Sequence, residues 1–263
     1  MRLWPLSNEI RSKQFLKLLE GPDGEPESMI MRVYRQASRV APGVRIVVAT
    51  GKKQISAIRN QLGDRVDICV EPDRRDTFPA ICLAASFLAD ERKVPGEEPV
   101  IICPVDPYVE DSYFEAFAEM AALAAENRAA LTLLGLEPTY PSEKYGYIIP
   151  EDGERVSRVA AFKEKPDLST ARQYLAQGAL WNGGVFACRL DYLLEKAHER
   201  LDFTDYRDLY GRYADQEKIS FDYAVAERED RIQVLRYSGP WKDRGTRNTL
   251  TEAMEGHIRG KAT

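Results

Sequence analysis

The side chains able to do chemistry gather in three short polar segments: Pro104-Val105-Asp106-Pro107, Lys163-Glu164-Lys165-Pro166 and Trp241-Lys242-Asp243-Arg244-Gly245. Carboxylates and ammonium or guanidinium groups in such clusters suit a charged ligand, and a solvated polar loop is the plain alternative for each. The only histidines are His198 and His257, and no nucleophile–base pair is evident. Cys69, Cys82, Cys103 and Cys188 are widely spaced, with no Cys-x-x-Cys pair, so a zinc site is disfavoured. Cys69, Cys82 and Cys103 lie inside apolar runs and read as buried free thiols. That usage points to a reducing compartment, the cytoplasm. The absence of a Gly-x-Gly-x-x-Gly run argues against a dinucleotide oxidoreductase.

The elements around these segments alternate. Arg45–Thr50, Val66–Val70, Val100–Cys103 and Ala130–Leu136 are short apolar runs that predict buried strands. Between them lie helical stretches at 52–62, Thr77–Asp90 and Asp111–Asn127, the second with Asp76 or Thr77 as N-cap and Pro79 in its first turn. Alternation of this kind predicts right-handed crossovers and a parallel sheet. After residue 137 the rhythm changes. Strands are expected at Tyr145–Ile149, Val156–Phe162, Trp181–Arg189 and Ile232–Tyr237. Helices are expected at Ser169–Gln177 (capped by Ser169 or Thr170), Leu190–Glu199, Thr204–Tyr213 and Thr246–Ile258. The expected fold is α/β: a Rossmann-like mixed, mainly parallel sheet with helices on both faces and an inserted antiparallel part. It is read as one domain over 1–263, with halves at 1–136 and 137–263. In open α/β sheets ligands bind beyond the carboxyl ends of strands, where the three polar segments fall.

With 263 residues, 44% apolar and 30% charged, the composition is that of a soluble globular chain and excludes wholesale disorder. No apolar run reaches the roughly 18–20 residues of a membrane helix, and the first residues do not read as a signal peptide. The net charge of −5 argues against nucleic acid as a partner. A polyanionic small ligand would need local Lys and Arg clusters instead.

Several segments then resemble one family in their order along the chain. Arg2-Leu3-Trp4-Pro5-Leu6-Ser7 with Ser12-Lys13-Gln14-Phe15-Leu16 is similar to the opening signature of the nucleotide-sugar pyrophosphorylases, in particular the mannose-1-phosphate guanylyltransferase (GDP-mannose pyrophosphorylase) group. Glu71-Pro72-Asp73-Arg74-Arg75-Asp76-Thr77-Phe78-Pro79-Ala80 and Pro104-Val105-Asp106 follow. Next come Tyr145-Gly146-Tyr147-Ile148, Glu164-Lys165-Pro166 and Trp181-Asn182-Gly183-Gly184. Phe221-Asp222-Tyr223-Ala224 and Trp241-Lys242-Asp243-Arg244-Gly245-Thr246 complete the series.

The resemblance implies transfer of GMP from GTP to a hexose-1-phosphate, mannose-1-phosphate first. The nucleophile is already ionised, so alignment and charge neutralisation with Mg²⁺ suffice. Asp106 and Asp243 are implied as the metal pair. Arg2 and Lys13 are implied as a triphosphate clamp, and Arg75, Asp76 and Thr77 as nucleotide contacts. Asp76 replaces the family's Asn; it suits guanine reading and equally suits an N-cap. Lys165 is implied to neutralise the sugar phosphate, with Glu164, Asn182 and Gly146 at the sugar. Pro107 replaces the family's His, so a sugar or phosphate contact from that position is not expected. Another nucleotide, another hexose phosphate, or a non-catalytic binding relative remain the alternatives. A homodimer is compatible with the family, and the extra C-terminal module of longer relatives is not expected.

The family begins with a strand and a Gly-Gly-x-Gly phosphate loop before the Arg-Leu-Trp-Pro segment. Here Met1 directly precedes Arg2 and the first glycine is Gly21. Met1 is read either as an internal methionine of a longer protein or as the start of a repurposed one. Greatly reduced activity is the expectation for the chain as written.

Overall fold

The computed structural model describes residues 12–239 and the strand Trp241–Asp243, of which only Trp241 has a described side chain. Arg2 and the expected helix Thr246–Ile258 lie outside the described residues. In chain order the strands are β1 Leu19–Glu20, β2 Pro26–Glu27, β3 Val47–Gly51, β4 Asp67–Glu71, β5 Pro99–Ile102, β6 Pro107–Val109, β7 Leu131–Leu136, β8 Tyr147–Pro150, β9 Val156–Lys163, β10 Leu180–Arg189, β11 Ile232–Tyr237 and β12 Trp241–Asp243. The α-helices are α1 Met29–Val40, α2 Ile55–Leu62, α3 Thr77–Asp90, α4 Asp111–Glu126, α5 Leu168–Ala176, α6 Leu190–Arg200 and α7 Tyr206–Gly211.

Two compact units interleave along the chain: 1–68, 104–114 and 239–263 form one, and 69–103 with 115–238 form the other. Their boundaries do not follow the chain order at residue 136.

In the first unit the core is Phe15, Ile30, Ile58, Leu62 and Val66, with Tyr34, Ile46 and Val48 against it. α1 starts at Ser28, whose hydroxyl accepts from the Met31 N–H at 3.4 Å. Asp67 N–H donates to Ile46 C=O at 2.9 Å, where β4 begins beside β3.

The second unit is built on a six-stranded sheet of order β5-β10-β7-β11-β9-β8. Its central strand β7 reads Leu-Thr-Leu-Leu-Gly-Leu and is buried along its whole length. That continuous apolar run is what a strand covered on both faces requires. The sheet is mixed, as expected, but less parallel than expected. β11 runs parallel to β7, whereas β10 runs antiparallel to β5, β7 and β8, and β9 antiparallel to β11 and β8. The reason is topological: β10 enters between β5 and β7, so these two strands, consecutive within this sheet, never become the parallel neighbours that a crossover would make. Gly135 in β7 is obligatory, since a Cβ there would stand 2.5 Å from Leu180 Cδ1 and 2.6 Å from Val234 Cγ2.

Two caps refine the sequence reading. Asp76 is the N-cap of α3, its Oδ1 accepting from the Thr77 N–H at 2.8 Å. α5 is capped by Asp167, not by Ser169 or Thr170, because Asp167 lies three residues before Thr170 and accepts from its N–H at 2.8 Å.

Candidate functional site

Strand register builds one polar cluster in the second unit. β8 and β9 are antiparallel with Tyr147 opposite Lys163, so Gly146 and Glu164, one step beyond, stand at the same end of the ladder. β10 brings Trp181 opposite Tyr147, and the next residue, Asn182, donates its backbone N–H to Gly146 C=O at 2.8 Å. The β10 ladder with β7 shifts register between Asn182 and Phe186, with Gly184 at φ +68°. The Gly183-Gly184 pair therefore forms a bulge, which re-aims the side chain before it.

The cluster is tight. A Cβ on Gly146 would stand 2.5 Å from Glu164 Oε2 and 3.2 Å from Asn182 Cβ, so only glycine lets these two approach. Glu164 is buried at 6% exposure and pairs with the Lys165 ammonium. Its backbone N–H donates to Glu227 Oε1 at 2.9 Å, and Lys163 Nζ meets the same oxygen at 3.1 Å. Lys165 has φ +44° although Pro166 follows it, a position that proline biases toward extended backbone. Backbone strain held in place by its surroundings is a mark of functional segments. Burial opposes the charge on Lys165, but the hydrogen bond to Glu164 and the charges of Glu164 and Asp222 raise its pKa on balance.

Asp222 joins this cluster and was not among the site residues read from the sequence. It opens a π-helical turn, Asp222–Ala226, and its Oδ1 accepts from Asn182 Nδ2 at 2.7 Å. Burial first, and then the charge of Glu164, lift its carboxyl to about 6; Asn182 and Lys165 act in the opposite direction. The available signal was its place in the Phe221-Asp222-Tyr223-Ala224 segment.

The Arg75-Asp76-Thr77 loop is tied to the same turn. Thr77 Oγ1 accepts from the Phe221 N–H at 2.8 Å, and Phe78 N–H donates to Ile219 C=O at 3.1 Å. Asp76 holds φ +70° with ψ −172°, a backbone region nearly reserved for glycine and therefore strained for Asp. Arg75 Nη2 pairs with Asp73 at 2.8 Å, while its Nε is buried without a hydrogen-bond partner among the described residues.

In the first unit Lys13 Nζ lies 3.1 Å from Asp106 Oδ2, both side chains partly exposed. β12 pairs antiparallel with β6 and places Asp243 opposite Pro107, the residue after Asp106. Asp243 is thus in a strand, not in the loop expected, and the pairing brings it beside Asp106 in backbone terms. Two carboxylates are the donor type a Mg²⁺ ion takes from protein, the remaining positions going to water and phosphate oxygens. Among the described residues no group of three or more His, Cys, Asp or Glu side chains converges to form an all-protein metal cage.

The architecture is that of the nucleotide-diphospho-sugar transferase-like folds. UDP-glucose pyrophosphorylase, solved with UDP-glucose, superposes with a TM-score of 0.65 over 98% of this chain and 94% of its own, at 17% identity. The chain belongs to the Nucleotidyl transferase family, which matches residues 1–259. A crystal structure described as mannose-1-phosphate geranyltransferase from Thermus thermophilus is 31% identical, with a TM-score of 0.79 over 96% of this chain and 75% of that one. The xanthan biosynthesis protein XanB of Xanthomonas campestris pv. campestris is 35% identical over 99% of this chain. A mannose-1-phosphate guanylyltransferase of Escherichia coli is 30% identical over 95% of it. The chain spans 58% of the length of each of these two curated relatives. Among the described residues, no helix is long and apolar enough to cross a membrane.

Proposed function

We propose that the protein transfers GMP from GTP to mannose-1-phosphate in a magnesium-dependent reaction, giving GDP-mannose and pyrophosphate. The observation that carries this reading is the buried Glu164 carboxylate, paired with the solvent-exposed Lys165 and closed against Gly146 and Asn182. An acceptor carboxylate, an amide and an ammonium group at one place match a ligand with both hydroxyls and a phosphate. The names of the relatives supply mannose and guanine.

In this reading an oxygen of the sugar phosphate attacks the α-phosphorus of GTP. The bond from that phosphorus to the α,β-bridging oxygen breaks, and pyrophosphate leaves with the electron pair. No proton has to be removed from the nucleophile. Lys165 leaves Glu164 for the sugar phosphate and neutralises it, while Glu164 accepts from sugar hydroxyls. Arg75, Asp76 and Thr77 contact the nucleotide. In the first unit Lys13 serves the triphosphate, with Arg2 assigned the same task. Asp106 and Asp243 would hold Mg²⁺, which when bound supplies charge neutralisation at phosphate oxygens.

The test is pyrophosphate release across a panel of nucleoside triphosphates and hexose-1-phosphates, with and without a chelator. GTP with mannose-1-phosphate should be the preferred pair, chelation should abolish turnover, and Lys165→Ala should lower kcat/KM by roughly 10²-fold or more. Turnover of a different pair with none for GTP and mannose-1-phosphate, or turnover indifferent to chelation, would overturn it.

A further inference from the structure

An asparagine amide is ambiguous, because a half-turn of its last bond exchanges donor for acceptor. At Asn182 that ambiguity is removed. Its Oδ1 accepts from the Gly184 N–H at 3.0 Å, and its Nδ2 donates to Asp222 Oδ1 at 2.7 Å. An ionised carboxylate only accepts, so the flipped amide would set two acceptors against each other and leave the Gly184 N–H facing an NH₂ group. The amide nitrogen keeps a second N–H, and Asn182 is half-buried, so this donor is within reach of a ligand.

The surroundings give a reason to ask what Asp222 does. It is a half-buried carboxylate close enough to the buried Glu164 for their charges to oppose each other, with Lys165 as the nearby cation. Such an arrangement costs stability, and an amide of the same shape would avoid the cost. A residue needed only for packing would not require the charge. What a carboxylate does that an amide cannot is to accept only, so it reinforces the orientation that the Gly184 N–H favours, whereas an amide at 222 could present either end to Asn182.

We propose that Asp222 is a positioning residue for hexose recognition: its carboxylate locks the Asn182 amide so that Asn182 presents an N–H donor, and only a donor, to a sugar hydroxyl. The proposal rests on reading the Gly146–Glu164–Asn182 cluster as the hexose end of the site. Asp222 touches neither the sugar nor the reacting phosphate and acts through Asn182.

The test compares the wild-type protein with Asp222→Asn, Asn182→Ala and the double variant. Calorimetric titrations use GDP-mannose, GDP-glucose, UDP-glucose and, as a control on the nucleotide end, GTP. Asp222→Asn should weaken the bound nucleotide sugar by roughly tenfold, the worth of about one hydrogen bond. GTP binding should stay within about twofold, which also shows that the variant is folded. The double variant should bind no more weakly than Asn182→Ala alone, since Asp222 has nothing left to position. Unchanged nucleotide-sugar binding in Asp222→Asn, or two losses that multiply in the double variant, would overturn the proposal. If the wild type binds UDP-glucose and not GDP-mannose, the substrate reading fails and the Asp222 comparison is decided with UDP-glucose. If it binds none of the nucleotide sugars, both readings fall.

Discussion

Asp222 joins a cost in stability to a gain in recognition, and the two separate by pH. Its carboxyl is lifted from an ordinary 3.8 to about 6, first by burial and then by Glu164. The groups around it are Glu164 and Lys165 after β9, Asn182 on β10 and Tyr223 in its own turn. A group that binds its proton more tightly when folded contributes stability that is complete below its unfolded pKa and lost as pH rises through the folded value. At pH 7.5 the ionised Asp222 therefore destabilises the fold, by at most about 3 kcal/mol for a shift of this size. Asp222→Asn removes that term. Urea midpoints of wild type and variant should show the variant more stable at pH 7.5, with the gap closing toward pH 5. All other titrating groups are shared by the two proteins and cancel in the difference. A gap that stays constant over this range would contradict the assignment. A variant that gains stability while losing sugar affinity is the pattern expected where function holds a residue in an unfavourable state.

At the scale of elements, α1 shows why part of the fold was hidden in the sequence. Strands such as β7 and β11 and helices such as α3 and α4 announce themselves by apolar runs or periodicity. α1 does not, because polar residues interrupt its stripe and one of its buried positions is Gln36, at 2% exposure. β6 and β12 are three residues each and exist only by pairing with one another. Short tertiary pairings leave no periodic signal. The same holds for the site. The Glu164-Lys165 and Asn182-Gly183-Gly184 segments were legible as motifs. That Gly146 must be glycine, and that Asp222 meets Asn182, follows from register and burial, which no single segment contains. Gln36 gives this argument a consequence. Its Nε2 donates to Val109 C=O at 3.2 Å and to Asp111 Oδ1 at 3.0 Å, tying α1 to the end of β6 and the start of α4. Arg32 also donates to Val109 C=O at 3.2 Å, and Arg39 pairs with Asp111 at 2.7 Å. Gln36→Leu leaves each acceptor one partner, so a cost of about 1–2 kcal/mol is expected from chemical denaturation, below that of two orphaned groups. A variant as stable as wild type would show that the brace contributes nothing.

For the whole molecule the cysteines report on one unit alone. All four, Cys69, Cys82, Cys103 and Cys188, are free thiols and belong to the unit formed by 69–103 and 115–238. Cys69, Cys82 and Cys188 are buried, and Cys103 is partly covered. Burial pushes the Cys69 thiol up to about 12 and that of Cys103 to about 11, and it raises Cys82 and Cys188 as well. The thiolate is the reactive form, so burial slows modification twice, by blocking access and by withholding ionisation. At pH 8 the native protein should react only slowly with an aromatic disulfide reagent, and all four thiols should react promptly in denaturant. Because the thiols lie in a single unit, their release along a denaturant titration follows the unfolding of the six-stranded sheet and its helices. Comparison with far-UV circular dichroism, which records helices of both units, then distinguishes one cooperative transition from two. Coincident curves mean that the interleaved units unfold together. Thiol release displaced from the dichroism curve means that they unfold separately. A thiol that reacts rapidly in the native protein at pH 8 would contradict the burial assigned to this unit.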